Sequence, residues 1–210
     1  QRVCKIRNEA MLDHSFFYFD YRLYPEIVSN GLNRCFFCKH YMYLFARSLF
    51  PREFNLVDAT NADDMLQFRP GIKAAQMLSV KTPFAAMGVN KNQILEIARD
   101  LGLHYEPLDT RSCILCRFAY NINLDFHDLH RIRSAEDYLL DNGLKGFRLR
   151  RPDHSNYLLQ IDTSQQKKFQ LISSGFLDHC RLLDISTLKI DFLSLDKITG
   201  YYDKLPDDVN

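Results

Sequence analysis

The run of candidate strands and helices predicts an α/β fold: a parallel-sheet layer over the first half of the chain, followed by a small α+β module. Three observations carry that prediction. Strand-like and helix-like stretches alternate over residues 1–112. One of them, 92–101, has clean helical periodicity. From about residue 122 the order changes to helix, two strands, helix and strand, so the boundary is drawn between 1–121 and 122–210.

Residues 1–30 are rich in aromatics (Phe16, Phe17, Tyr18, Phe19, Tyr21, Tyr24) and read as a strand plus connection. The stretch 42–49 sets Leu44, Phe45 and Leu49 at helical spacing. Residues 54–57 make a short buried-strand candidate that runs into the polar segment Asp58-Ala59-Thr60-Asn61-Ala62-Asp63-Asp64, and Arg69-Pro70-Gly71 is a turn signal. In 92–101, Ile94, Ile97, Ala98 and Leu101 share one face, and Gly102 is the stop. Beyond 122, residues 129–140 read as a helix, and 147–151 and 157–162 as strands joined by Asp153-His154-Ser155-Asn156. A helix over 164–173 and a last strand over 190–195 complete the module.

With 210 residues, 46% of them apolar, the chain can bury one good core or two small ones. A net charge of +1 argues against a wholesale electrostatic nucleic-acid binder and leaves room for a local basic patch. No apolar run approaches the roughly 20 residues that cross a bilayer, so no membrane partner is expected. The opening Gln1-Arg2-Val3-Cys4-Lys5 has neither an initiator Met nor an apolar leader, and a longer parent or a removed beginning is expected. Six cysteines are too few for a disulfide scaffold, which points to a reducing cytoplasm with thiol or metal chemistry.

Four of those six fall into two pairs of identical spacing, Cys35-Phe36-Phe37-Cys38 and Cys113-Ile114-Leu115-Cys116. Two intervening residues let both sulfurs face one point, as a tetrahedral metal or an iron–sulfur cluster requires. Buried structural thiols are the alternative, since cysteine is among the most buried residue types. Arg34 and Lys39 flank the first pair, and Arg111 and Arg117 flank Cys113; cationic neighbours raise a thiolate fraction. Cys4 and Cys180 stand alone and read as core or incidental residues.

Taken together, Asn33-Arg34-Cys35-Phe36-Phe37-Cys38-Lys39, Asp58-Ala59-Thr60-Asn61-Ala62-Asp63-Asp64, Arg69-Pro70-Gly71-Ile72-Lys73-Ala74-Ala75 and Ser112-Cys113-Ile114-Leu115-Cys116-Arg117-Phe118 resemble the LarE family of sulfur transferases. That family lies within the PP-loop ATP pyrophosphatase superfamily. Arg131-Ile132-Arg133-Ser134-Ala135-Glu136, Phe147-Arg148-Leu149-Arg150, Leu195-Asp196 and Gly200-Tyr201 extend the likeness, which holds from about residue 25 to 202.

The resemblance implies a cytoplasmic enzyme that uses ATP and Mg²⁺ to adenylylate the carboxylate of a nicotinic-acid-derived nucleotide. It then replaces the activated oxygen with sulfur, towards the pincer ligand of a nickel cofactor. Cys113 matches the family's sulfur-handling cysteine, and Cys35, Cys38 and Cys113 match the three thiols that hold a 4Fe–4S cluster with one iron open to sulfide. A sulfur donor and a homo-oligomer are implied as partners. Cys116 stands where the family usually has Ser; a fourth thiol would close the open iron or make a four-thiolate zinc site. The family's glycine-rich phosphate loop has no counterpart here, so the layer is read as N-terminally incomplete. Two rivals stand beside this reading: a tRNA thiolation enzyme, and a catalytically silent, zinc-stabilised binding domain.

The remaining candidates each carry two readings. Asp58, Asp63 and Asp64 either hold Mg²⁺ beside ATP phosphates or cap the following helix. Lys91 opens the 92–101 helix and either meets a phosphate or is a surface lysine. Arg69 reads as a conformational anchor. Arg148 and Arg150 alternate on one strand face, either as a phosphate fork or as a solvated face. Glu136 and Asp162 match family acidic positions, with Gln160 where the family has Arg. His40, His104, His127, His130 and His154 show no paired ligand spacing and read as structural or surface groups.

Overall fold

The computed structural model describes residues 15–67, 69–103 and 112–202. It separates into two units, one formed by 1–27 with 33–108 and the other by 28–32 with 109–210.

In the first unit, α1 (Arg34–Leu49) starts well before the expected 42 and takes both Cys35 and Cys38 into its opening turns. No Gly, Pro or β-branched residue interrupts 34–49, so nothing in the backbone opposes the extension. The helix ends where Phe50 turns extended ahead of Pro51. α2 (Pro70–Met77) begins with Pro70 in its first turn, where a missing N–H costs nothing. The two helices enclose Tyr43, Ala74, Ala75 and Val80, flanked by Phe36, Leu56 and Leu78. Gly71 permits the approach: a Cβ there would lie 2.9 Å from Lys39 Cγ.

α3 (Lys91–Asp100) carries a reciprocal capping box between Asn90 and Gln93, each side chain bonding the other's backbone N–H at 2.9 Å. Gly102 ends it with φ +73°, as its position predicts. The strand expected at 54–57 appears as one parallel bridge, Val57 to Lys81, closed by Asp58 N–H to Lys81 O and Lys81 N–H to Leu56 O, both 2.9 Å. Residues 15–20 are irregular and Tyr21–Leu23 forms a 3₁₀ turn; residues 1–14 of the first expected strand lie outside the described residues.

The second unit holds the sheet. α4 (Phe126–Asp141) leads into β1 (Phe147–Arg150) and β2 (Tyr157–Asp162), which pair antiparallel with Phe147 opposite Ile161. α5 (Gln166–Leu182) returns the chain to β3 (Leu188–Leu193), parallel to β2 with Tyr157 opposite Leu188. The order β1-β2-β3 puts β2 in the centre. Ile132, Ala135 and Leu139 of α4, Phe169 and Phe176 of α5, and Leu149, Leu159 and Ile161 of the sheet form the core.

α5 runs past the expected end at 173 because Phe169, Phe176 and Cys180 continue one buried face through Gly175. Unit 2 starts earlier than 122: the 3₁₀ turn Ile114–Arg117 feeds Phe118, which bridges Arg151 in parallel. Residues 28–32 join it because the Asn30 side chain donates to Ala119 O (2.7 Å) and Ile122 O (2.9 Å). The fold is thus mixed α/β with a three-stranded mixed sheet. Among the described residues no helix is long and apolar enough to cross a membrane.

Candidate functional site

Strand alternation sends Phe147 and Leu149 to one side of β1 and Arg148 and Arg150 to the other. The arginine side is not solvated: Arg148 and Arg150 are 5% and 4% exposed. Arg150 donates through Nε to Gln160 Oε1 (2.5 Å), through Nη1 to Cys116 O (3.0 Å) and through Nη2 to Ile198 O (2.5 Å). Its guanidinium also lies over the rings of Tyr201 and Tyr202, 4.9 and 5.2 Å from their centroids. Arg148 Nη1 donates to Phe147 O at 2.6 Å.

A third buried arginine, Arg117, makes a forked pair with Glu136 (Nε to Oε1 2.7 Å, Nη2 to Oε2 3.0 Å) and reaches Ser112 Oγ at 2.8 Å. Glu136 Oε1 also accepts the Leu149 N–H at 2.9 Å, tying α4 to β1. Burial holds Arg150 down to about 10, and the nearby positive charges of Arg117 and Arg148 push the same way. Burial also pushes the Tyr202 phenol up to about 12. Two polar atoms beside Arg150 are buried with no hydrogen-bond partner among the described residues: Gln160 Nε2 and Tyr202 Oη. Unsatisfied donors cost about 1–3 kcal/mol each, so this cluster is primed for acceptor oxygens.

The thiol pair adjoins that cluster. Cys113 is exposed and caps the turn Ile114–Arg117, while Cys116 is half-buried within it, its N–H bonded to Cys113 O at 3.0 Å. Arg117, expected to polarise Cys113, is committed to Glu136 and Ser112 instead; Arg111 lies outside the described residues. Asp162 caps the turn Thr163–Gln165, its Oδ1 accepting from Ser164 N (2.8 Å) and Oγ (2.5 Å).

In the first unit, Cys35 and Cys38 are one helical turn apart on α1 and half-buried. Arg34 is 2% exposed, with Nη2 3.7 Å from Cys35 Sγ, so it is a packed partner of the thiol and not a solvated charge. Lys39 departs from its expected role. Its ammonium pairs with Asp58 Oδ2 and donates to Tyr43 Oη at 2.9 Å.

Asp58 is correspondingly saturated: Oδ2 also accepts from Tyr43 Oη (2.6 Å), and Oδ1 from the N–H (2.8 Å) and hydroxyl of Thr60. Asp63 accepts the Lys91 N–H, the helix-opening amide, at 2.9 Å. The Lys91 side chain is exposed. Asp64 and Asn61 bond each other's N–H at 3.2 Å, and Asp64 pairs with Arg69 at 2.9 Å. Asp63 and Asn61 thus each accept a backbone N–H, from Lys91 and Asp64, and Arg69 ties to the loop through Asp64.

Among the described residues no group of three or more His, Cys, Asp or Glu side chains is assembled that could hold a metal ion. Cys35 and Cys38 belong to the first unit, and Cys113 and Cys116 to the second. The Cys180 thiol is buried and pushed up to about 12 by that burial, as suits a core residue. His40 stacks on Phe36 at 5.7 Å, and its buried Nδ1 has no hydrogen-bond partner among the described residues; His104 lies outside the described residues. The sequence reading missed Tyr202 and the buried pairing of Arg117 with Glu136. The i, i+2 arginines of β1 were the available signal, because a strand with two buried arginines needs acceptors supplied from elsewhere.

No family model matches the sequence. The chain is 34% identical over 146 residues to "Uncharacterized protein MJ0830" of Methanocaldococcus jannaschii, covering 68% of this chain and 56% of that protein. It is 31% identical over 128 residues to "Uncharacterized protein slr1717" of Synechocystis sp., covering 60% and 48%. The chain thus spans about half the length of the curated relatives it matches.

Proposed function

We propose that this chain is the sulfur-handling and substrate-holding part of a LarE-like, ATP-dependent sulfur transferase of the PP-loop class. Its substrate is the carboxylate of a nicotinic-acid-derived mononucleotide, on the way to a nickel-pincer ligand. The observation that carries the reading is the surplus of buried guanidinium charge bonded to the Cys113–Cys116 turn. Arg117 is matched by Glu136, whereas the three acceptors described for Arg150 are neutral. Burial holds the Arg150 guanidinium below its ordinary range, an unfavourable charge burial that a bound anion would relieve. A nucleotide phosphate brings that charge together with acceptors for Gln160 Nε2 and Tyr202 Oη.

In this reading ATP supplies an adenylate leaving group on the carboxylate, and sulfur carried by the exposed Cys113 replaces it. No segment of the chain offers the glycine-rich loop that would cradle ATP phosphates. The activation half-reaction is therefore assigned to the phosphate loop of a longer protein or a partner.

Equilibrium binding of nicotinate mononucleotide to the full chain tests the reading. Arg148→Gln should weaken binding by about tenfold or more, the range for a charge-assisted hydrogen bond. Cys113→Ala should bind normally and lose sulfur transfer. Absence of mononucleotide binding up to about millimolar concentration, or full turnover by Cys113→Ala, overturns the proposal. A salt-dependent tRNA complex would favour the tRNA thiolation rival, and stoichiometric zinc in an inactive chain the scaffold rival.

A further inference from the structure

Cys113 and Cys116 differ in a way that their identical residue type hides. Cys113 is exposed and sits in extended backbone (φ −49°, ψ 138°) ahead of the turn. Cys116 is held in a rigid frame. Leu115 on one side is 3% exposed and Arg117 on the other 1%. Its carbonyl accepts from Arg150 at 3.0 Å, and Arg117 O accepts the Arg151 N–H at 2.7 Å.

The Cys116 N–H to Cys113 O bond, 3.0 Å, closes a turn across the pair. Such a turn brings its end Cα atoms within about 7 Å, and a disulfide bridges roughly 4.4–6.8 Å.

We propose that Cys113 and Cys116 form a nucleophile–resolving pair: Cys113 takes a sulfane sulfur as a persulfide, and Cys116 expels it as sulfide. This rests on the sulfur-handling reading of Cys113 and names how the sulfur leaves. In the first step the Cys113 thiolate attacks a polysulfide or persulfide donor. A Cys113 S–S bond forms, the donor's S–S bond breaks, and the shortened donor departs with the electron pair. In the second step the Cys116 thiolate attacks the Cys113 sulfur. The Cys113–Cys116 disulfide forms, the persulfide bond breaks, and hydrosulfide leaves. The sulfane sulfur is reduced to sulfide while the two thiols are oxidised, and a dithiol reductant resets the pair. Release next to the arginine cluster delivers sulfide beside the substrate site, with no cluster needed.

The test uses the full, reduced chain under anaerobic conditions with inorganic polysulfide as donor, without ATP or nucleotide. Thiol labelling and peptide mapping should find the two thiol hydrogens lost between Cys113 and Cys116, with a burst of about one sulfide per chain. Cys116→Ser should keep one extra sulfur on Cys113 and release sulfide at least about tenfold more slowly. Cys113→Ser should do neither. Wild-type chain that retains the persulfide with Cys116 still open to alkylation overturns the pair, as does wild-type sulfide release from Cys116→Ser. The wild-type mapping decides even if a variant fails to fold. A chain that forms no persulfide at Cys113 at all sinks the sulfur-handling reading itself, which keeps the two failures apart.

Discussion

Asp58 and Glu136 are carboxylates that the sequence offered as ligands and that the fold uses as hubs. Burial alone would raise the Asp58 carboxyl, but hydrogen bonds from Lys39, Thr60 and Tyr43 outweigh it and hold it well below the usual carboxylate range. A folded-state carboxyl below its ordinary 3.8 contributes stability that is whole above that value and lost as pH falls through the folded titration. Asp58→Asn is expected to cost about 1–3 kcal/mol at neutral pH and to flatten stability loss below pH 3.8, read by urea unfolding across pH. Glu136→Gln strands the buried Arg117 guanidinium, so a loss of about 3–5 kcal/mol is expected, measured the same way. Loss of less than about 1 kcal/mol would mean that Arg117 finds another counter-charge.

Glycine positions show where a helix answers to its neighbour more than to its own propensity. Gly175 sits in the interior of α5, where Ala is favoured by about 1 kcal/mol. A Cβ there would collide with Tyr138 Oη on α4, and that ring is itself stacked on His179 at 4.9 Å. Gly175→Ala should therefore lower the melting temperature, and Gly175→Ala with Tyr138→Phe should recover it or exceed it, a non-additivity that a double-mutant cycle reads directly. Gly71→Ala is a second case: the obstructing atom is Lys39 Cγ, near the base of a side chain whose ammonium is pinned to Asp58, so destabilisation is expected by thermal melt. The periodicity of α3 and its glycine stop were legible because they are local. The start of α1 was not, because Asn33 makes no side-chain cap bond to mark it.

Taken as a whole, the described residues concentrate full burial in unit 2, in β1, β2 and the inner face of α4, whereas the α1–α2 core of unit 1 rests on Tyr43, Ala74, Ala75 and Val80. Amides of β2, bonded on both sides, should exchange slowest in hydrogen-exchange mass spectrometry of the full chain. Those of the 3₁₀ turn Asp63–Leu66, which has no buried residue, should exchange fast. Slow exchange in that turn with fast exchange in β2 would contradict the burial pattern.

Spacing and residue type alone determined that two thiol pairs exist, that a helix spans 92–101 with Gly102 as its stop, and that two arginines share one face of β1, because each follows from a local pattern of the chain. Whether those arginines met water or were enclosed, and whether each carboxylate stood ready for a ligand or was consumed by a neighbouring cation, depended on segments far apart in the chain. Ile198, Cys116 and Tyr202 close around Arg150 across dozens of residues. Desolvation and charge pairing are properties of that enclosure, and no window of sequence contains them.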